Sequence, residues 1–208
     1  MKKIFLFVFT MALTAFAPKA EAEITLQGIA SGNYFPKSMR AFRSSPDGES
    51  YMQISEDGKK LLSYSFKNGA RNGVVIDLST ARGDKVESID GYIISPDGRR
   101  ILVQTNTNSI YRRSFTADYY IYDVNNKTLT ALSKGGAQMQ PQFSPDGNMI
   151  SFVRGGNLFL VKLLFDNSES QVTKDGEVGK VLNGVPDWVN EEEFSTACRQ
   201  QDACMGSL

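Results

Sequence analysis

A four-residue turn recurs along this chain at almost constant distance. Ser45-Pro46-Asp47-Gly48, Ser95-Pro96-Asp97-Gly98 and Ser144-Pro145-Asp146-Gly147 follow one another at intervals of 50 and 49 residues, and a degenerate copy, Ser55-Glu56-Asp57-Gly58, lies inside the first interval. Each copy has the chemistry of a tight reversal: proline presets φ at the second position, aspartate bonds nearby amides, and glycine takes the positive φ that closes the turn. One copy would mean a surface turn only. Three at regular spacing mean a repeat architecture.

The segments between the turns read as strands. Leu61–Phe66 alternates into Asn68-Gly69 and is followed by Gly73–Leu78. Ile101–Gln104 leads through a polar loop to Tyr119–Val124, and Asn125-Asn126 turns that strand into Thr128–Leu132. Met149–Arg154 meets Gly155-Gly156, a two-residue hairpin signal, and returns as Leu158–Leu163. With no sustained 3.6-residue apolar period outside the first residues, the fold class is all-β. Units of this size, each a small antiparallel sheet with a turn at a fixed place, point to β-propeller blades, with a β-sandwich as the rival whose strands look alike locally but lack so regular a repeat. About three blades can be counted, an incomplete propeller where closed rings usually need roughly four to eight.

Composition narrows function by exclusion. Lys plus Arg and Asp plus Glu are both 23 in 208 residues, so there is no electrostatic case for nucleic acid. There is no histidine, so a Ser-His-Asp or Cys-His set and a histidine-bearing zinc site are excluded within this polypeptide; no metal and no cofactor is expected. Residues 1–22 read as a secretory signal peptide: Lys2 and Lys3 precede an apolar run from Ile4 to Ala17, and Ala20 and Ala22 suit a cleavage site. The run falls short of the roughly 18 to 20 residues that span a bilayer, so the expectation is an exported chain, periplasmic or secreted, with no membrane contact after cleavage. Cys198 and Cys204 stand together near the end, and a paired loop and two incidental thiols both remain open.

The chain's one tryptophan, Trp188, sits in Asn183-Gly184-Val185-Pro186-Asp187-Trp188-Val189-Asn190, just ahead of Glu191, Glu192 and Glu193. Three adjacent carboxylates repel one another unless water, a helix N-terminus or a cation compensates them. As a bare pattern they fit the solvated first turn of a helix; the alternative is that a cationic ligand compensates them.

Tyr111-Arg112-Arg113-Ser114-Phe115-Thr116-Ala117-Asp118-Tyr119-Tyr120-Ile121-Tyr122-Asp123, then Phe143-Ser144-Pro145-Asp146-Gly147, then the Asp187-Trp188-Val189 run into the three glutamates, resemble in wording, order and spacing successive landmarks of dipeptidyl peptidase IV, a prolyl oligopeptidase family serine exopeptidase. The resemblance spans about Ile24 to Ser195, with Asn190 where the family pattern has tyrosine. It implies an N-terminal eight-bladed propeller ahead of an α/β-hydrolase domain, and removal of Xaa-Pro or Xaa-Ala dipeptides from peptide N-termini. By resemblance Glu192 and Glu193 receive the substrate's free α-amino group and Arg112 contacts the carbonyl side of the dipeptide; Arg113 inherits no role, and Trp188 is expected to pack the base of the glutamate segment. The partners implied are peptides with a free N-terminus and, as a family habit, a second copy of the chain.

Residues 23–195 are thus expected to be part of such a propeller domain, followed by an aberrant, unstructured tail over 196–208. There is no Gly-x-Ser-x-Gly elbow, so no catalytic residue is assigned and the chain is expected to be inactive alone. A frameshift and a premature stop, in the organism or in the assembled sequence, would each explain the break after Ser195. The isolated chain is expected to expose strand edges and to show no capture of dipeptides, its glutamates depending on further blades. A non-enzymatic periplasmic propeller serving as a binding or scaffold protein is the alternative reading.

Overall fold

The structure, a computed structural model, describes residues 24–36 and 41–194; the expected signal peptide, Cys198, Cys204 and the tail over 196–208 lie outside them. Two units are distinguished. In the first, a short helix α1 (Leu26–Ala30) starts at Thr25, whose hydroxyl accepts the Gly28 amide at 3.0 Å. A five-residue helix shows no apolar period, so the sequence did not signal it.

The second unit is built from thirteen strands in three sheets. The first sheet runs in order β1 (Phe42–Ser44), β2 (Ser50–Ile54), β3 (Lys60–Ser65), β4 (Arg71–Asp77), all antiparallel. A two-residue strand β5 (Arg82–Gly83) then crosses to the second sheet and pairs in parallel with the outer edge of β9 (Thr128–Ala131). That sheet continues inward through β8 (Phe115–Asp123) and β7 (Arg100–Ser109) to β6 (Gly91–Ile94). The third is β10 (Met139–Phe143), β11 (Met149–Arg154), β12 (Asn157–Lys162), β13 (Ser168–Gln171), again an antiparallel meander.

Each Ser-Pro-Asp-Gly turn joins the first strand of a meander to the second. In all four related turns the glycine amide donates to the serine carbonyl at 2.8–3.1 Å. The aspartate Oδ1 takes the amide two residues on, at 3.0 Å from Arg99 and 3.1 Å from Asn148. The three copies also lie side by side: a Cβ on Gly98 would sit 3.8 Å from Pro46, and one on Gly147 3.6 Å from the Asp97 carboxyl carbon. The degenerate copy belongs to the β2–β3 hairpin instead, where Gly58 meets Ser88 and Ile89. The Gly155-Gly156 pair, with φ of 58° and 77°, closes the β11–β12 hairpin with Arg154 opposite Asn157, the double positive φ that a two-residue hairpin needs.

Two cores weld the sheets together. Met52, Leu61 and Ile76 of the first sheet pack on Tyr92, Ile101, Val103 and Tyr122 of the second. The opposite face of the second sheet presents Leu102, Ala117, Tyr119 and Ile121 to Phe143, Ile150, Phe152, Phe159 and Val161 of the third. Because successive strand residues point to opposite faces, a sheet covered on both sides reads as an unbroken apolar run, which is why Ile101-Leu102-Val103 shows no alternation. Each such fully buried side chain contributes about 1.5–3 kcal/mol. Three meanders stacked in sequence order are not the two facing sheets of a sandwich.

The turns also make the unit acid-sensitive. The Ser95 hydroxyl, with the Arg99 amide and guanidinium, holds Asp97 at about 2, and the Ser79 hydroxyl with Lys60 does the same for Asp77. The Ser144 hydroxyl lowers Asp146 as well. These folded values lie below the unfolded one, so the unfolded chain binds more protons as pH falls, and the contribution is complete above pH ~4 and lost toward pH ~2. The urea midpoint should therefore decline through that window, and Asp97→Asn should lower it at neutral pH while flattening its decline.

Candidate functional site

The site lies where a loop of the second sheet meets a single helical turn that follows the third. Residues 110–114 form a tight connection between β7 and β8, closed by the Ile110 and Tyr111 amides, which both donate to the Ser114 carbonyl. The turn η1 (Val189–Glu193) is a π-helix, closed by the Phe194 amide on the Val189 carbonyl at 3.3 Å. Just ahead of it, the Asp187 carboxylate accepts the Asn190 amide at 3.0 Å and the Asn190 side-chain nitrogen at 2.7 Å. Asn190, standing where the family pattern has tyrosine, thus curls back on its own turn.

The expected residues Arg112 and Glu192 come together although eighty positions separate them. Glu192 is 3% exposed, and its Oε1 accepts the Arg113 amide at 2.9 Å, the Ser114 amide at 3.1 Å and approaches the Ser114 hydroxyl at 2.8 Å. Arg112 donates through Nη2 to the Glu192 carbonyl at 3.0 Å and places Nε 3.8 Å from Oε2. Burial pushes the Glu192 carboxyl up, but the Arg113 and Ser114 amides, the Ser114 hydroxyl and the Arg112 guanidinium outweigh it and hold the group below its ordinary value. It is a carboxylate at neutral pH, with Oε1 filled and Oε2 facing a guanidinium. Glu193 is exposed beside it.

The solvated-turn reading therefore fails for two of the three glutamates. Glu191 is 8% exposed and engages the Ser114 hydroxyl at 2.5 Å and Gln140 Nε2 at 2.8 Å. Sequence reasoning read Glu191 only as part of the acidic run and gave no role to it, to Ser114 or to Gln140. The one available signal was that three consecutive residues of a helical turn cannot share a face, so part of the run had to turn inward and find donors. Arg113 contributes its backbone amide. Trp188 starts the turn and packs edge-on against Tyr111, rings 6.4 Å apart at 72°, half of its surface remaining exposed. Among the described residues no group of three or more His, Cys, Asp or Glu is placed to hold a metal.

Sequential four-stranded meanders, stacked face to face with their first turns on one rim, are blades of a β-propeller, and this one carries a buried carboxylate turn clamped by an arginine loop. The family model of the dipeptidyl peptidase IV (DPP IV) N-terminal region matches residues 95–198. A probable dipeptidyl-aminopeptidase B of Talaromyces marneffei is 36% identical over 187 residues, covering 82% of this chain and 20% of that protein. The human prolyl endopeptidase FAP is 29% identical over 175 residues, covering 82% and 22%. Porphyromonas gingivalis dipeptidyl peptidase 4, a solved structure, superposes with a TM-score of 0.78 at 39% identity, over 84% of this chain and 25% of that one. The chain belongs to the dipeptidyl peptidase IV N-terminal region family. It spans about a fifth of the length of these curated relatives.

Proposed function

We propose that this chain is the substrate-anchoring propeller portion of an exported serine dipeptidyl peptidase, and that Glu192, Glu193 and Arg112 read the free amino terminus of a peptide from which Xaa-Pro or Xaa-Ala is removed. The observation that carries the reading is the state of Glu192: charged, nearly buried, with Oε1 satisfied by the protein and Oε2 left beside Arg112. An α-ammonium is the one group that marks a chain end, and carboxylates in a partly desolvated setting hold it through charge-assisted hydrogen bonds. The exposed Glu193 supplies a second carboxylate, and Arg112 offers a planar donor to the carbonyl that follows. Without histidine the chain supplies no Ser-His-Asp set, so its share of the reaction is binding and orientation.

Among the described residues, the hydrogen bonds and the ion pair of Glu192 come from Arg112, Arg113 and Ser114. These contacts support an anchor seated by this chain's own loop, and whether capture also depends on further blades is what the titration decides. No helix among the described residues is long and apolar enough to cross a membrane, and export rests on the leader-like residues 1–22.

Trp188 gives the test a built-in reporter, being the only tryptophan and lying on the same turn as the glutamates. Titration of the chain with Ala-Pro should change its emission in the millimolar range, while N-acetyl-Ala-Pro, which lacks the ammonium, should leave it unchanged. Equal responses to the two would overturn the reading.

A further inference from the structure

We infer that Glu191 is the positioning residue of this site, the buried carboxylate that seats the π-helical turn between the second and third sheets and thereby turns Glu193 toward the ligand; the inference rests on the amino-terminus reading above. One helical turn has too few internal bonds to hold itself, since nucleation is the unfavourable step of helix formation, so its position has to come from outside contacts. The Arg112–Glu192 ion pair is a weak fixture, with the arginine side chain two-thirds exposed and the charges 3.8 Å apart. Glu191 is placed differently. Its Oε2 takes the Ser114 hydroxyl from the second sheet and its Oε1 takes Gln140 Nε2 from the third.

Both partners are themselves set in special backbone. Ser114 ends the tight 110–114 connection and is 5% exposed. Gln140 lies where the β10–β11 register shifts, between Met139 and Gln142, and has a φ of 45°, a left-handed conformation that disfavours a residue with a side chain. The irregularity aims the Gln140 amide at Glu191.

The Ser114 hydroxyl has one proton and two carboxylate oxygens in reach. Glu192 Oε1 has two amides besides, whereas among the described residues Glu191 Oε2 has the hydroxyl alone, so the proton goes to Glu191, and Glu192 Oε1 is held by the two amides of the same loop. Residues two apart on a helical turn do not face each other. Seating Glu191 inward therefore sends Glu193 outward, which is the side on which an ammonium has to approach.

The test is a charge exchange across the 2.8 Å contact. Gln140→Glu sets two carboxylates against each other; adding Glu191→Gln restores one carboxylate and one amide, with an acceptor still available to Ser114. Two readouts are taken on the full chain: amide hydrogen exchange at Arg113 and Ser114, whose acceptor is Glu192 Oε1, and the ratio of affinities for Ala-Pro and N-acetyl-Ala-Pro. Q140E should speed exchange at both amides roughly tenfold or more and bring the ratio close to one, and the Q140E/E191Q double variant should recover both to within about threefold of wild type. Rescue by the exchanged pair is not expected if Glu191 merely fills space. The inference is overturned if Q140E leaves the two amides protected, or if the double variant stays as unprotected as Q140E. If wild type itself fails to distinguish the free from the acetylated dipeptide, the amino-terminus reading falls, and the exchange rates alone then decide whether Glu191 positions the turn.

Discussion

Glu192→Ala is expected to remove selectivity for a free amino terminus, lowering the affinity for Ala-Pro roughly ten- to a hundredfold, the range of one charge-assisted hydrogen bond, while binding of N-acetyl-Ala-Pro stays where it was. Two losses coincide in this variant. The carboxylate that meets the ammonium disappears, and the Arg113 and Ser114 amides lose the acceptor they share, so the 110–114 loop loses its hold on the turn. Glu192→Gln separates the two, because its oxygen still serves the amides while its charge is gone. The amide variant should keep slow exchange at Arg113 and Ser114 and yet lose most of the selectivity. Arg112→Ala should cost less than either, since that side chain is largely exposed and its ion pair is long. Parallel titrations of the three variants with both dipeptides check the order. An E192A chain that still prefers the free dipeptide would remove Glu192 from the site.

The parts of the fold that sequence made legible are those fixed by local chemistry. The Ser-Pro-Asp-Gly turns are written in their own residues, so all three occupy the same place in successive sheets. The strands read in advance, such as Met149–Arg154, are those with a buried face. The strands that escaped notice carry little apolar signal. Every residue of β1 and of β13 is exposed, and β13 is Ser-Glu-Ser-Gln; neighbouring strands recruit such segments through backbone hydrogen bonds, to which side-chain patterns are blind. β5 is two residues held by a parallel edge.

The site divides along the same line. Arg112, Glu192 and Glu193 were picked out through resemblance, whereas Ser114, Gln140 and Glu191 depend on contacts across 51 to 78 positions. No local rule brings Gln140 to Glu191. The bulge that aims it exists only once β10 has paired with β11, and the π-helical turn has no periodicity to announce it.

A substitution that touches no site residue should disable the site almost as well. Phe152 is fully buried in the core between the second and third sheets, stacked on Phe159 with centroids 5.3 Å apart and planes 6° from parallel. The Arg154 guanidinium lies 4.2 Å over the Phe159 ring and 5.5 Å from that of Phe152, held by Glu169 at 2.7 Å and by the Ser133 hydroxyl. Phe152→Ala leaves a cavity under this stack and should destabilise the chain by about 3–5 kcal/mol, a large share of the ~5–15 kcal/mol that holds a domain together. Its thermal midpoint should fall by roughly 10 °C. Phe152→Leu, which keeps most of the volume, should cost less than half as much. Because Glu191 joins Ser114 of the second sheet to Gln140 of the third, loosening the core between them should raise amide exchange at Arg113 and Ser114 in F152A well below its unfolding midpoint. If those amides instead stay protected until the chain unfolds, the turn is held by its own contacts and not by the packing of the blades beneath it.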